Sequence, residues 1–216
     1  NNSDKYDLLC GYGVKSFIKS SENSLKKLDN FFELKKDWLF GYMTYDLRNE
    51  IEVLNDDNID FINMPNLYFF QPEIVWFVKG KNVTGLSFEK DLIDNDWKKF
   101  NEISKKEKTK NSSIVKLNLR NSKSEYINKV NKIKERIFRG DCYEMNFCFD
   151  LFSECDEINP YDTYVKLNNY TKSPMSSFLK INDLFLISSS PERFLSKNGE
   201  DIICLLYTSD AADESV

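Results

Sequence analysis

Apolar side chains recur along the first half of the chain at the spacings of strands and of one helix. Short apolar runs bounded by Gly, Pro or Asn are typical of strands. Such runs predict strands at 6–17 (with a tight bend at its glycines), 38–47, 67–70, 74–78 and 83–88, with a loop at 55–60. Leu25, Leu28, Phe31 and Phe32 share one face of a predicted amphipathic helix over 24–36.

The second half contains the clearest helical pattern. A helix is predicted over 124–139, with one apolar face formed by Tyr126, Val130, Ile133 and Ile137. Ser122 and Glu125 have the spacing of a capping box, and Gly140 suits the end of the helix. The remaining predicted elements are strands at 115–119, 141–152, 175–180 and 184–189, and a helix at 160–170 that begins with Asn159 as cap and Pro160.

A polar, lysine-rich stretch separates the two halves. Residues 98–113 carry no apolar anchor after Ile103 and predict a linker, a frayed helix followed by an exposed loop, with a partner-binding basic patch as the alternative. It divides the chain into an N-terminal region, 1–110, and a second region, 111–203. Strand pairs with interspersed helices indicate the α+β class.

Composition excludes several classes of protein. Hydrophobic residues make up 41% and aromatic residues 14% of the 216 positions, which is too apolar for a disordered chain. The net charge is −5 and the basic residues are scattered among acids, so no nucleic-acid partner is expected. No apolar run has membrane-spanning length, and no signal peptide is visible.

Cysteine and histidine usage narrows the possible chemistry. The five cysteines form no CxxC pair and the chain has no histidine, which argues against a zinc site. Reduced cysteines in a cytoplasmic protein are the favoured interpretation. Without histidine, a Ser-His or Cys-His nucleophile pair is also excluded within this sequence. Catalysis therefore has to rest on carboxylates, lysines, hydroxyls or a metal ion held by oxygen ligands.

The C-terminal segment has an unusual sequence. Residues 204–214 match, in order, the translation of a transposase-type sequencing adapter. A short strand followed by an acidic tail is the alternative interpretation, but a match of this length rarely arises by chance. We therefore expect 204–216 to be a non-native tail and the natural protein to continue beyond Ile203.

One carboxylate follows the last predicted strand. The apolar run 184–187 leads into three serines, and Pro191 then turns the chain before Glu192. A carboxylate at a strand end can serve as a general acid or base when its surroundings bring its pKa toward the working pH. A solvated surface turn is the alternative, and spacing alone favours that alternative.

The order of four segments resembles component I of the chorismate-utilising synthases. The segments are 41–47 (GYMTYDL) with 49–52 (NEIE), 140–146 (GDCYEMN), 159–167 with 173–179 (SPMSSFL), and 190–194 (SPERF). Each segment is modest alone, but the ordered set is specific and covers most of the chain up to Ile203. Residues 46–52 and the serine-rich strand favour the aminodeoxychorismate synthase branch. The alternatives are anthranilate synthase component I and a non-catalytic module that binds an aromatic amino acid.

The resemblance implies a fold, an activity and partners. The implied fold is a two-subdomain α/β sandwich of antiparallel sheets with chorismate in the cleft. Glu192 matches a catalytic glutamate that moves protons as the C4 hydroxyl leaves, and magnesium binds the chorismate carboxylate through glutamates that lie further downstream. Ammonia would come from a glutamine amidotransferase partner, and the product would feed 4-aminobenzoate and folate synthesis.

The resemblance also implies where chemistry is missing. The family position that separates the two branches falls on Thr208, where lysine favours amination at C4 and alanine favours amination at C2. With Thr208 in the suspected tail and the magnesium ligands absent, we expect the chain as given to be inactive, and unpaired strand edges to make it poorly soluble.

Four further residues match a pocket for an aromatic amino acid, which is tryptophan in the anthranilate enzymes. They are Tyr143, Pro174, Met175 and Ser176. Their alternative role as ordinary core residues of a strand has equal weight.

Overall fold

A computed structural model of the chain describes residues 6–52, 54, 59–103, 115–154 and 158–204. The chain divides into two compact units, Asn1–Lys108 and Thr109–Val216. Within the described ranges, no helix has the length and apolar character needed to cross a membrane.

The first unit is built on two antiparallel sheets. Its strands are β1 (Leu8–Tyr12), β2 (Ser16–Ser20), β3 (Phe40–Met43), β4 (Leu67–Gln71), β5 (Ile74–Lys79) and β6 (Asn82–Ser87). Its helices are α1 (Ser24–Lys35), α2 (Lys90–Ile103) and a 3-10 helix (Tyr45–Glu50). One sheet has the order β1-β5-β6 and the other β2-β4-β3.

The core of the first unit lies along β4 and the start of β5. Its buried apolar side chains are Leu47, Leu67, Tyr68, Phe70, Ile74 and Val75. Strand β3 approaches β4 very closely, because a Cβ at Gly41 would lie 2.0 Å from the carbonyl oxygen of Tyr68. Glycine at position 41 is therefore a requirement of the sheet.

Two strands predicted in the first unit differ from the observed ones. The strand predicted over 6–17 becomes β1 and β2 in different sheets, because Gly13 turns the chain with φ of 73°. The strand predicted over 38–47 keeps only β3, and the chain then enters the 3-10 helix, which buries Leu47.

Helix α2 agrees with the expectation that the predicted linker begins in a helix. The helix runs from Lys90 to Ile103, so 98–103 are helical, and residues 104–114 lie outside the described chain. The Trp97 ring lies 5.7 Å from both Trp76 and Phe100, and the Trp76 indole N–H donates to Asp96 at 2.8 Å. These contacts attach α2 to β5 and explain why a polar sequence is ordered there.

A carboxylate from elsewhere in the chain caps helix α1. Asn23 stands at its N-cap with φ of 52° and makes no side-chain cap. Instead, both the backbone N–H and the hydroxyl of fully buried Ser24 donate to the Glu50 carboxylate, each at 2.5 Å. Burial alone would raise the pKa of Glu50, but hydrogen bonds from Ser24 and Asn66 and the charge of Lys27 lower it below its ordinary value.

Replacing Glu50 with alanine is expected to lower the free energy of unfolding by about 2 kcal/mol, because buried donors on Ser24 lose their acceptor. The lowered pKa means that this contribution is present above the ordinary value of 4.5 and is lost as the pH falls through the lower folded value. Urea unfolding at pH 7 and at stepped pH below 4.5 measures both effects. Exposed Glu52→Ala is the control, and equal losses in the two variants would contradict the capping role.

The described part of the second unit contains small two-stranded sheets and two helices. Its strands are β7 (Asn118–Leu119), β8 (Leu151–Phe152), β9 (Met175–Ile181), β10 (Leu184–Ser190), β11 (Leu195–Asn198) and β12 (Asp201–Cys204). Its helices are α3 (Lys123–Phe138) and α4 (Pro160–Thr171). The pairs β7-β8, β9-β10 and β11-β12 are all antiparallel.

Local signals for the helices of the second unit are confirmed. Ser122 and Glu125 form the capping box of α3, and Gly140 follows the helix with φ of 78°. The Asn159 side chain accepts from the N–H groups of Tyr161 and Asp162 at the start of α4, where Pro160 is the first residue. These ends were predictable because caps depend on nearby residues.

Two strand predictions in the second unit are too long. Only Asn118 and Leu119 of 115–119, and only Leu151 and Phe152 of 141–152, pair as strands. The aromatic residues between α3 and β8 serve a different role, since Phe147 and Phe149 contact the Tyr126 ring of α3 at 5.4 and 5.6 Å. Mixed helices and antiparallel sheets confirm the predicted α+β class.

Candidate functional site

The β9–β10 hairpin brings hydroxyl side chains together at its open end. Its register pairs Ser176 with Ser189 and Met175 with Ser190, while the apolar ends of the strands meet at the tight turn. Side chains opposite each other in a register share one face of a sheet. The register therefore places Ser176 and Ser189 on one face of the hairpin and Ser177 and Ser188 on the other.

Helix α4 packs on one face of this hairpin through aromatic rings. The Phe178 ring lies 6.1 Å from Tyr161, 5.5 Å from Tyr164 and 6.1 Å from Phe185. Edge and tilted ring contacts at these distances are favourable beyond the area that they bury. The aromatic cluster fixes α4 relative to β9 and β10 and positions the polar groups beyond it.

Those polar groups form two separate clusters along α4, one with Tyr164 and Ser176 and one with Thr171, Ser173 and Ser189, which we together call the hydroxyl network. The hydroxyls of Thr171 and Ser189 lie 2.5 Å apart, and those of Tyr164 and Ser176 lie 3.5 Å apart. The Ser173 hydroxyl donates to the carbonyl oxygen of Ser189 at 3.5 Å. Hydroxyls can both donate and accept, so this surface suits a ligand with carboxylate, amine or hydroxyl groups.

Glu192 lies two residues beyond β10, held by a local turn. The Ser190 hydroxyl donates to the Glu192 carbonyl oxygen at 2.8 Å, and the Glu192 N–H donates to the same hydroxyl at 3.3 Å. The Glu192 side chain is exposed. The turn thus fixes the backbone next to the hydroxyl network and leaves the carboxylate accessible to a ligand.

Three of the four residues predicted for the amino-acid pocket lie together. Pro174 precedes β9, which Met175 and Ser176 begin, and Ser176 belongs to the hydroxyl network. Tyr143 lies in the segment between α3 and β8, with 75% of its surface exposed. Sequence reasoning did not assign Tyr164, Thr171 or Ser189 to the site. Tyr164 lies within the predicted helix, Thr171 follows it directly, and Ser189 ends the predicted strand 184–189.

The described residues contain no cluster of metal-ligating side chains. Across the ranges that the structure describes, no group of three or more Asp, Glu, Cys or His side chains lies close enough to hold a metal ion.

Two concavities of the described residues lie in the first unit. The more apolar one, of about 470 Å³, lies between α1 and the β2-β4-β3 sheet and is lined by Leu25, Leu28, Asp29, Phe32, Leu39, Met43 and Phe69. We place the candidate site at the hairpin, because the Glu192 carboxylate and several hydroxyls lie there. The more apolar concavity has one carboxylate, Asp29, among its lining residues.

The described part of this α+β chain presents an exposed carboxylate and neighbouring hydroxyls at the open end of an antiparallel hairpin. The comparison with known families defines the class further. The chain belongs to the chorismate binding enzyme family, whose model matches residues 10–204.

Individual relatives come from two branches of biosynthetic enzymes. Aminodeoxychorismate synthase component 1 of Salmonella typhimurium is 32% identical over 79 residues, which is 36% of this chain and 17% of that protein. Anthranilate synthase component 1 of Buchnera aphidicola is 25% identical over 206 residues, which is 84% of this chain and 37% of that protein.

A solved structure supports the fold. The anthranilate synthase component I of Streptococcus pneumoniae matches with a TM-score of 0.72 at 18% identity, over 94% of this chain and 54% of that chain. This confirms the predicted component I fold. The chain spans about half of that structure. It spans 17% of the Salmonella protein and 37% of the Buchnera protein.

Proposed function

We propose that this chain forms part of an enzyme that aminates chorismate at C4, as component I of an aminodeoxychorismate synthase. The observation that carries the proposal is the position of Glu192, which the Ser190 turn holds just beyond β10 and beside the hydroxyl network. The 32% identity to the Salmonella aminodeoxychorismate synthase component 1 supports the C4 branch.

Glu192 would act on the hydroxyl that leaves the chorismate ring. Hydroxide is a poor leaving group, so a carboxylic acid that gives a proton to the departing oxygen lowers the barrier. The resulting carboxylate can then take a proton from the incoming ammonia. The hydroxyls of Thr171, Ser176 and Ser189 would hydrogen-bond polar groups of a bound ligand.

The whole enzyme would need groups that the described residues do not supply. We propose magnesium as the cofactor that neutralises the chorismate carboxylate, and a glutamine amidotransferase subunit as the source of ammonia. The product would serve 4-aminobenzoate and folate synthesis in the cytoplasm.

A second candidate is anthranilate synthase component I, which aminates C2. It is favoured by the extent of similarity, because the anthranilate relatives match over 172 to 206 residues at 24 to 25% identity. The aminodeoxychorismate relatives match over only 79 to 81 residues, at 27 to 32% identity. The natural residue at position 208 distinguishes them, with lysine expected for C4 and alanine for C2.

An amination assay tests the proposal. The natural gene product that contains this sequence is incubated with chorismate, magnesium and an ammonium salt, and the products are separated by chromatography. We expect 4-amino-4-deoxychorismate from that protein and no product from the present chain alone. Anthranilate as the product would establish the C2 alternative, and release of neither amine would refute both.

The residues around β9 also support a proposed site for an aromatic amino acid. Tyr143, Pro174, Met175 and Ser176 are its proposed residues, and the Ser176–Tyr164 hydroxyl pair would meet the polar end of the ligand. We expect equilibrium dialysis to retain tryptophan and Ser176→Ala to weaken its binding by about tenfold, the effect of one lost hydrogen bond. If neither the unsubstituted chain nor Ser176→Ala retained tryptophan, the proposed pocket would be refuted and these residues would have a structural role alone.

A further inference from the structure

Strand β10 leaves its hairpin just before Glu192. Ser190 is the last residue of β10 and pairs with Met175, the first residue of β9. The ends of a small sheet open most readily, because the last pair of residues has a neighbouring pair on one side only. Pro191 then takes the chain out of the sheet, since proline has no backbone N–H for a further pair. The place of Glu192 therefore depends on how firmly the last residues of β10 are held.

The Ser190 turn connects the end of β10 to Glu192. The Ser190 hydroxyl accepts from the Glu192 N–H and donates to the Glu192 carbonyl oxygen. A serine that bonds to the N–H two residues ahead is a common turn of the backbone. Both contacts involve the backbone of Glu192, so a displacement of Ser190 is passed on to the carboxylate of Glu192.

Two hydroxyls at the end of α4 hold the residue that precedes Ser190. Thr171 is the last residue of α4, and its hydroxyl lies 2.5 Å from the hydroxyl of Ser189. The Ser173 hydroxyl donates to the carbonyl oxygen of Ser189 at 3.5 Å. One contact reaches the side chain of Ser189 and the other reaches its backbone. Helix α4 therefore holds the end of β10 at two points.

The hydrogen bonds of Thr171 have a defined direction. Its hydroxyl donates to the carbonyl oxygen of Leu167 at 3.0 Å. A hydroxyl has one hydrogen to donate and two lone pairs that accept. The hydrogen of Thr171 is used by Leu167, so Ser189 is the donor in the 2.5 Å contact. The series from Ser189 to Thr171 to Leu167 ends on the backbone of α4, which is a rigid element.

A second threonine of α4 has the same local bond without the link to β10. The Thr163 hydroxyl donates to the carbonyl oxygen of Asn159 at 2.9 Å, four residues back, as Thr171 does to Leu167. Such bonds to the preceding turn are a local habit of threonine in helices. Within the ranges that the structure describes, the Thr163 hydroxyl makes no hydrogen bond to β10. The link to Ser189 is what distinguishes Thr171 from Thr163.

We propose that Thr171 is a positioning residue for Glu192 and acts through Ser189 and the Ser190 turn. By holding the end of β10, it keeps the Glu192 carboxylate where it can give a proton to the departing hydroxyl. Such placement matters because a misplacement of about 1 Å can cost about 10²-fold in rate. This inference rests on the proposed role of Glu192, and it does not depend on which carbon of chorismate is aminated.

Steady-state kinetics of the natural gene product that contains this sequence tests the proposal. Thr171→Val keeps the shape of the side chain and removes its hydroxyl, whereas Thr171→Ser keeps the hydroxyl. Thr163→Val is the matched control, because it removes the same kind of local bond from the same helix. We expect Thr171→Val to lower kcat by about fivefold to tenfold, the effect of one lost hydrogen bond, with little change in the KM for chorismate. Thr171→Ser and Thr163→Val are expected to keep kcat within about twofold of the unsubstituted protein.

Hydrogen exchange on the same proteins reports on the turn independently of activity. Peptides that span 188–194 include the Glu192 amide, which donates to Ser190, and we expect faster exchange there in Thr171→Val alone. Unchanged kcat or unchanged exchange in Thr171→Val, an equal loss in Thr163→Val, or a raised KM at unchanged kcat would overturn the proposal. If the gene product released neither amine, the proposed function would be refuted, and the exchange result alone would decide whether Thr171 holds the turn.

Discussion

Replacing Glu192 with glutamine, in an active enzyme that contains this chain, is expected to lower kcat by about 10²- to 10⁴-fold, the usual contribution of a general acid or base. Glutamine keeps the size and a hydrogen-bonding oxygen but cannot give a proton to the departing hydroxyl. The Ser190 turn depends on backbone atoms of Glu192, so the substitution leaves it intact. Steady-state kinetics with chorismate and ammonium measures the effect, and KM is expected to change little.

Glu200→Gln provides the matched control for this substitution. Glu200 is an exposed glutamate in the turn between β11 and β12. Its replacement removes the same charge from the same unit and is expected to leave kcat within twofold. An equal loss in both variants, or full activity of Glu192→Gln, would remove Glu192 from the catalytic machinery.

A second large effect is expected in the first unit, where Gly41→Ala should lower the free energy of unfolding by about 3 kcal/mol. The added Cβ would lie 2.0 Å from the Tyr68 carbonyl oxygen and 2.7 Å from the Phe69 Cα. Both atoms belong to the backbone of β4, so relief requires β3 to move away from its partner strand. Tyr68 and Phe70 on β4 are buried, and this movement would disturb the core.

Urea unfolding of Gly41→Ala and Met43→Ala measures the effect. Met43 lies in the same strand and is 47% exposed, so its truncation is expected to cost less than about 1 kcal/mol. The two variants share a new alanine but differ in the backbone clash. If Met43→Ala lost as much stability as Gly41→Ala, the close approach of β3 to β4 would not explain the glycine.

Helices with local signals were predictable from the sequence. Helix α3 has its capping box at Ser122 and Glu125, and α4 has its cap at Asn159, so both ends follow from residues within one turn. The β9–β10 hairpin was also predictable, because two apolar runs flank a short turn. In these elements, side-chain pattern and backbone preference agree.

Elements that depend on distant partners were predicted less well. The segment 141–152 has the composition of a strand, but only its last two residues find a partner strand, at β7. The segment 98–103 is an ordered helix although its sequence is polar, because α2 is held by Trp97 packing on Trp76 of β5. The sequence pattern does not show which element a strand or helix will pack against. It therefore does not predict the length of a strand or the order of a polar helix.

The candidate site was also predictable only in part. Glu192 was located through resemblance, since its spacing favoured a surface turn, and the structure does place its side chain at the surface. The hydroxyl network depends on the register that sets Ser176 opposite Ser189 and on the contact of Thr171 with Ser189. A shift of one residue would turn these serines to opposite faces, which is why the network could not be derived from the sequence.

The tie between Ser24 and Glu50 has a consequence for the evolution of this sequence. Glu50 belongs to the segment NEIE, which suggested the family, yet its carboxylate is engaged in holding the first turn of α1. A relative that loses the hydroxyl at position 24 loses one of the two donors that this acid satisfies. Substitutions at the two positions should therefore be correlated among homologues, and position 50 should drift freely wherever α1 has acquired a cap of its own.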